Sequence, residues 1–119
     1  MTFVSLGAVF GFLSVALGAF GAHALRDRLS AQMLSVYEKG VMYQMYHALA
    51  LLAVGILFHL GMRQHLLSLA GWLFALGIVL FSGSLYILSL SGKRAFGAIT
   101  PIGGLCFLAG WALVFFAVV

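Results

Sequence analysis

Four long stretches of the chain, residues 3–22, 41–60, 66–90 and 101–119, contain no Asp, Glu, Lys or Arg. Each supplies the roughly 17 to 25 residues that an α-helix needs to cross about 30 Å of hydrocarbon. Lipid offers the backbone no water, so such a segment must satisfy its own N–H and C=O groups, which a helix does. The expectation is an all-α integral membrane protein, a four-helix bundle forming one domain over residues 1–119. Composition agrees: 65% of the residues are hydrophobic and 7% charged, against about 25% charged in a soluble domain.

Local signals mark the ends of these spans. Thr100 is placed to cap the fourth helix with Pro101 at its first position, and Gly61 and Gly92 follow helices as C-terminal breakers. Between the first two spans, Leu25, Leu29, Met33, Val36 and Tyr37 recur at three- and four-residue intervals, while Arg26, Asp27, Arg28, Gln32, Ser35, Glu38 and Lys39 fill the other face. This predicts a short amphipathic helix over 25–39 lying in the membrane interface. In the other version Ser30 caps a shorter helix after a turn at 25–29. Gly40 then marks a bend into the second span.

Ala22-His23-Ala24 imitates a signal-peptidase site. No Lys or Arg precedes it, and 3–22 exceeds the roughly 7 to 15 residues of a signal h-region, so the segment is expected to remain as a span. Orientation follows from Lys and Arg. Arg26, Arg28 and Lys39 lie in the first loop and Lys93 and Arg94 in the third, whereas the second has only Arg63. The positive-inside rule places the first and third loops in the cytoplasm and both termini outside.

Small residues form stripes. In the first span Gly7, Gly11, Ser14, Gly18 and Gly21 are spaced by four, three, four and three; Ser68, Gly71, Ala75, Ser82 and Ser89 do likewise on the third, and Gly103, Cys106, Gly110 and Ala117 on the fourth. Such faces allow close backbone approach, within the bundle or in a homodimer. The second span instead carries Tyr43, Gln44 and His47 on one face. At 1.5 Å per residue, His47 lies about 9 Å below the basic edge, Tyr86 about 6 Å and Ser82 about 12 Å, with His23 and Thr100 at the rim. His23, Tyr43, Gln44, His47, Ser82, Tyr86 and Thr100 are therefore the candidate polar pocket, and Arg26, Arg28, Lys93 and Arg94 the candidate contacts to anionic lipid. The cluster is either a hydrogen-bonded plug holding the helices in register or a one-sided pocket. It does not line a continuous pore, which needs polar groups at both ends.

Other classes are disfavoured. Eight charged side chains with no clustered basic face do not make a nucleic-acid surface. Asp27 and Glu38 are the only acids, and no nucleophile has a paired base and orienting acid, so no catalytic residue is assigned. The four histidines lack metal-ligand spacing, and Cys106 is alone and reads as packing. No metal or other cofactor is expected.

The motifs GAFGAH at 18–23, YQ at 43–44 with HAL at 47–49, FSGSLY at 81–86, TPIGG at 100–104 and FLAGWAL at 107–113 resemble those of a small bacterial inner-membrane family. It is catalogued as domain of unknown function 423 and related to the animal transmembrane protein 256. The resemblance covers nearly the whole chain. It implies a four-span protein of the inner (plasma) membrane with no established activity, and it puts His23, Gln44, His47, Ser82, Tyr86 and Thr100 inside the family's recurring motifs. Two functions follow as expectations. The first is a structural or interaction protein, in a homo-oligomer or a larger membrane complex. The second is a module binding or transporting a lipid headgroup or small polar solute in the polar pocket.

Overall fold

The computed structural model describes residues 1–119. Of 102 backbone hydrogen bonds, 88 lie inside helices, the self-sufficiency that lipid demands of a spanning backbone. Helix α1 (Thr2–Phe20) continues into a π-helical turn, Gly21–Leu25. Helix α2 (Ala31–His59) follows. Helix α3 (Gln64–Gly77), a π turn (Ile78–Ser82) and α4 (Gly83–Ser91) run on as one rod. A 3-10 turn (Arg94–Ala98) leads into α5 (Thr100–Val118). Four apolar helices long enough to cross a membrane result: Thr2–Leu25, Ala31–His59, Gln64–Ser91 and Arg94–Val118.

The segment between the first two spans differs from a short interfacial helix over 25–39 and follows the other version, a turn followed by a helix capped at Ser30, as far as Gly40. Ser30 caps α2, its Oγ accepting from the Met33 N–H at 3.1 Å, so residues 31–39 are the opening turns of α2 rather than a separate element. Tyr37, with 1% of its surface exposed, anchors them to α1 by donating its hydroxyl to the Leu17 carbonyl at 2.6 Å. Nor does α2 end or restart at Gly40. Its missing side chain makes room for the Tyr86 ring, which a Cβ would meet at 2.8 Å. The positive-φ glycines are Gly61 and Gly92, at 83° and 71°, where α2 and α4 end.

Thr100 also behaves differently from a cap. Its hydroxyl is 2.6 Å from that of Ser84 and caps no backbone N–H of α5. The preceding turn already supplies the Ile99 carbonyl to Ile102 and Gly103, and Pro101 has no N–H to satisfy.

Helix α2 is the central post: α1 packs along one side of it and the α3–α4 rod along another, with α5 laid against that rod. The apolar core, including Phe3, Leu51, Val54, Leu67, Phe74 and Phe107, reaches up to His47, on which Phe107 stacks. Aromatic rings seat on glycines of the facing helix: Tyr37 on Gly21, Tyr86 on Gly40, Phe3 on Gly71, Phe107 on Gly77 and Phe74 on Gly110, with would-be Cβ distances of 2.5 to 2.8 Å. Backbones themselves meet at Gly7, where a Cβ would lie 2.8 Å from the Ala48 carbonyl oxygen, and at Gly103, where it would lie 2.4 Å from the Phe81 nitrogen.

Candidate functional site

The polar side chains of the basic half form cross-links between particular helix pairs. Between α1 and α2, the Tyr37 hydroxyl donates to the Leu17 carbonyl at 2.6 Å, Ser14 Oγ to the Val41 carbonyl at 2.9 Å, and Gln44 Nε2 to the Phe10 carbonyl at 2.9 Å. As the partner on α2 advances by four and then three residues, the partner on α1 retreats by three and then four. The result is an antiparallel ladder fixing the register of the two helices. Each rung uses a carbonyl's second lone pair, so the helical bonds survive.

A second set ties α2 to the α3–α4 rod. Ser82 Oγ, on the π turn, donates to the Gly40 carbonyl at 2.6 Å. The Tyr86 hydroxyl donates to Gln44 Oε1 at 2.6 Å. Gln44 therefore bridges three elements, its amide nitrogen facing a carbonyl on α1 and its oxygen facing a phenol on α4. That pairing fixes which way the amide points, since a carbonyl cannot donate. A third link, Ser84 to Thr100, joins α4 to the start of α5.

His47 completes the set deeper in the bundle. Its Nδ1 lies 2.7 Å from the Tyr43 carbonyl, which can only accept, and its Nε2 lies 3.0 Å from the Trp111 indole nitrogen, which can only donate. These partners assign the neutral ring with its proton on Nδ1. The ring stacks on Phe107, centroids 3.5 Å apart and planes within 7°, and Phe74 and Trp111 approach its other sides. Both nitrogens are engaged, so neither can meet a solute without breaking a bond to the protein. Every buried side-chain nitrogen or oxygen in the molecule has a hydrogen-bond partner.

Gln44, His47, Ser82 and Tyr86 are thus gathered into one half of the bundle, linked directly only between Gln44 and Tyr86. Thr100 sits at the rim with Ser84. His23 is exposed on the π turn after α1, away from the others. Tyr43 turns outward, 38% exposed and stacked on Phe81 at 4.7 Å. Arg26, Arg28, Lys93 and Arg94 are all exposed in the loops at this end. No three His, Cys, Asp or Glu side chains come close enough to hold a metal ion.

The cavities lie on the outside of the bundle. A cleft of about 620 Å³ runs between α2 and α5, lined by Tyr43, Tyr46, His47, Phe107 and Trp111 among others. A second, of about 540 Å³, runs between α1 and α2 and is lined by Gly7, Gly11, Ala16, Ala48 and Leu52 among others. Gln44, Ser82 and Tyr86 line neither.

Three members of the network, Tyr37, Ser84 and Trp111, are not among the candidate residues of the sequence. By pattern Tyr37 belongs to the apolar face of the 25–39 segment and Trp111 to an apolar span. The available signal was chemical: an indole N–H or a phenol placed within a span needs an acceptor, and the bundle must supply one.

Comparison with known proteins agrees with this architecture. The family described as "Protein of unknown function (DUF423)" matches residues 17–104. The chain is 53% identical over 112 residues to a UPF0382 membrane protein of Staphylococcus haemolyticus, covering 94% of this chain and 90% of that one. It is 47% identical over 117 residues to the UPF0382 membrane protein YwdK of Bacillus subtilis, covering 98% and 95%. No solved structure matches. With a match of this length and relatives this similar over nearly their whole length, the chain belongs to the DUF423 family and is a multi-pass membrane protein.

Proposed function

We propose that the protein is a structural or interaction component of the bacterial plasma membrane, a closed bundle that works through its lipid-facing surface by associating with copies of itself or with a larger membrane complex. The observation that carries this reading is the complete pairing of the buried polar groups. A site that binds, moves or transforms a solute keeps polar groups free for it, whereas here Gln44, His47, Ser82 and Tyr86 all bond to neighbouring helices. The same pairing supports a non-enzymatic role.

The surface offers a place for such association. On α1, Gly7, Gly18 and Gly21 are filled by α2, but a Cβ at Gly11 would find only the Ala48 methyl, at 3.9 Å. The shallow cleft there, floored by small residues, permits close approach of a further helix. The basic loops, with Arg26, Arg28, Lys93 and Arg94, are oriented to the cytoplasm and to anionic headgroups, leaving both termini outside.

The test is the mass of the protein extracted in a mild detergent or in polymer-bounded native membrane. Association gives a discrete oligomer or a stoichiometric co-purifying membrane protein, dissociated by Gly11→Leu with the melting temperature unchanged. A strictly monomeric protein without a partner would remove this function.

A further inference from the structure

The cleft between α2 and α5 carries chemistry that the interior does not. We propose that it is a binding groove for one anionic glycerophospholipid, its acyl chain lying over His47 and Trp111, its ester carbonyls at Tyr43 and Tyr46, and its phosphate at Lys39. About 620 Å³ falls in the roughly 300 to 1,000 Å³ range of small-molecule sites. Along α2, Lys39, Tyr43 and Tyr46 are spaced by four and three residues and share one face. Descending that face, a cation is followed by two hydroxyls and then by an aromatic floor. A phospholipid presents the same order of polarity: charged headgroup, hydrogen-bond-accepting esters, hydrocarbon.

The hydroxyls are the decisive feature. Tyr37 and Tyr86 donate to the Leu17 carbonyl and to Gln44, whereas Tyr43 and Tyr46, 38% and 50% exposed, donate to no protein group. A hydroxyl facing lipid without an acceptor is costly. At the headgroup level of a bilayer, where tyrosine rings commonly sit, the ester carbonyls of a lipid lie just below the phosphate and are free to accept. Arg94 opens the turn leading into α5 and adds charge at the same end of the groove. Glu38 adjoins Lys39 in sequence but projects about 100° around the helix from it.

The groove can be closed without touching the core. A Cβ at Gly104 would find nothing nearer than the Phe81 ring edge, at 3.9 Å, so Gly104→Leu extends into the space the lipid would use. The purified full chain is placed in bilayer discs of equimolar phosphatidylglycerol and phosphatidylcholine, and lipid retained on release is counted by native mass spectrometry. Wild-type protein is expected to keep one lipid, preferentially phosphatidylglycerol. Gly104→Leu should lower retention about tenfold, a loss of about 1.4 kcal/mol. Lys39→Gln should bring the two lipids toward parity without emptying the groove, and Tyr43→Phe with Tyr46→Phe should lower retention of both. Retention by Gly104→Leu equal to wild type, or an unchanged lipid preference in Lys39→Gln, overturns the proposal. Should Gly104→Leu not fold, the double tyrosine variant decides: full retention without the two hydroxyls overturns it equally. None of these outcomes depends on whether the chain self-associates.

Discussion

Gly103→Ala adds one methyl group where the structure has the least room for it. The new Cβ would lie 2.4 Å from the Phe81 nitrogen and 2.8 Å from both its Cα and its Cβ. Carbon contacts are comfortable at about 3.5 to 4.0 Å, so α5 must retreat from the π turn by about 1 Å. A flexible side chain could step aside, but the obstruction here is mainly backbone. Retreat also disturbs two neighbours of the same seam, the Phe107 ring seated on Gly77 and the Ser84–Thr100 hydrogen bond. The expected cost is at least the about 1 to 3 kcal/mol of core overpacking. Gly104→Ala, one residue on, is the control, because its Cβ makes an ordinary 3.9 Å contact. Gly83→Ala is a second, with nothing within 4 Å and about 0.8 to 1.0 kcal/mol of helix propensity in its favour. Unfolding in mixed micelles, followed by far-ultraviolet circular dichroism and tryptophan fluorescence, should destabilise Gly103→Ala and leave both controls at or above wild type. Equal stability of Gly103→Ala and Gly104→Ala would refute the reasoning that glycine at 103 sets the distance between α5 and the third span.

Tyr86→Phe keeps the ring on Gly40 but leaves Gln44 Oε1 without its donor, and should cost between about 0.6 and 1.7 kcal/mol in the same unfolding assay. Trp111→Phe removes the donor to His47 Nε2 at a similar cost; nitrogen-15 spectra of the wild-type ring should show the proton on Nδ1, and a proton on Nε2 would contradict the assigned bonds. Arg63 donates Nη1 to the Phe116 carbonyl at 2.9 Å, closing the last turn of α5. Arg63→Ala should therefore speed amide hydrogen exchange in residues 115–119 while leaving α2 unchanged.

The four spans were legible because hydrophobicity over 20 residues is a collective signal that no single contact can reverse. The segment at 25–39 was legible only as two versions, because an amphipathic stretch has the same periodicity whether it lies in the interface or begins a helix capped at Ser30; the structure takes the Ser30 cap and runs the helix on through Gly40. The deciding interactions are the Ser30 cap and the Tyr37–Leu17 bond, and only the second is long-range. Gly40 read as a bend because glycine is a weak helix former; its use as a seat for Tyr86 depends on a residue 46 positions away. The polar half of the bundle was visible as a group of residue types. Their partners were not, because six of the links end on backbone carbonyls, which every position carries: Tyr37, Ser14, Gln44, Ser82 and His47 each donate to one, as does Ser84 to Phe81. Trp111 was hidden by its own apolar bulk.

Whether the polar half is closed can be measured directly by water-edited solid-state NMR on the full chain in bilayers, comparing transfer from mobile water to the Gln44 amide, the His47 ring and the Lys39 side chain. A bundle whose buried polar groups are all bonded within the protein gives rapid transfer to Lys39 and none to Gln44 or His47 at matched mixing times. Transfer to Gln44 and His47 as fast as to Lys39 would mean a hydrated pocket, and would contradict the closed bundle.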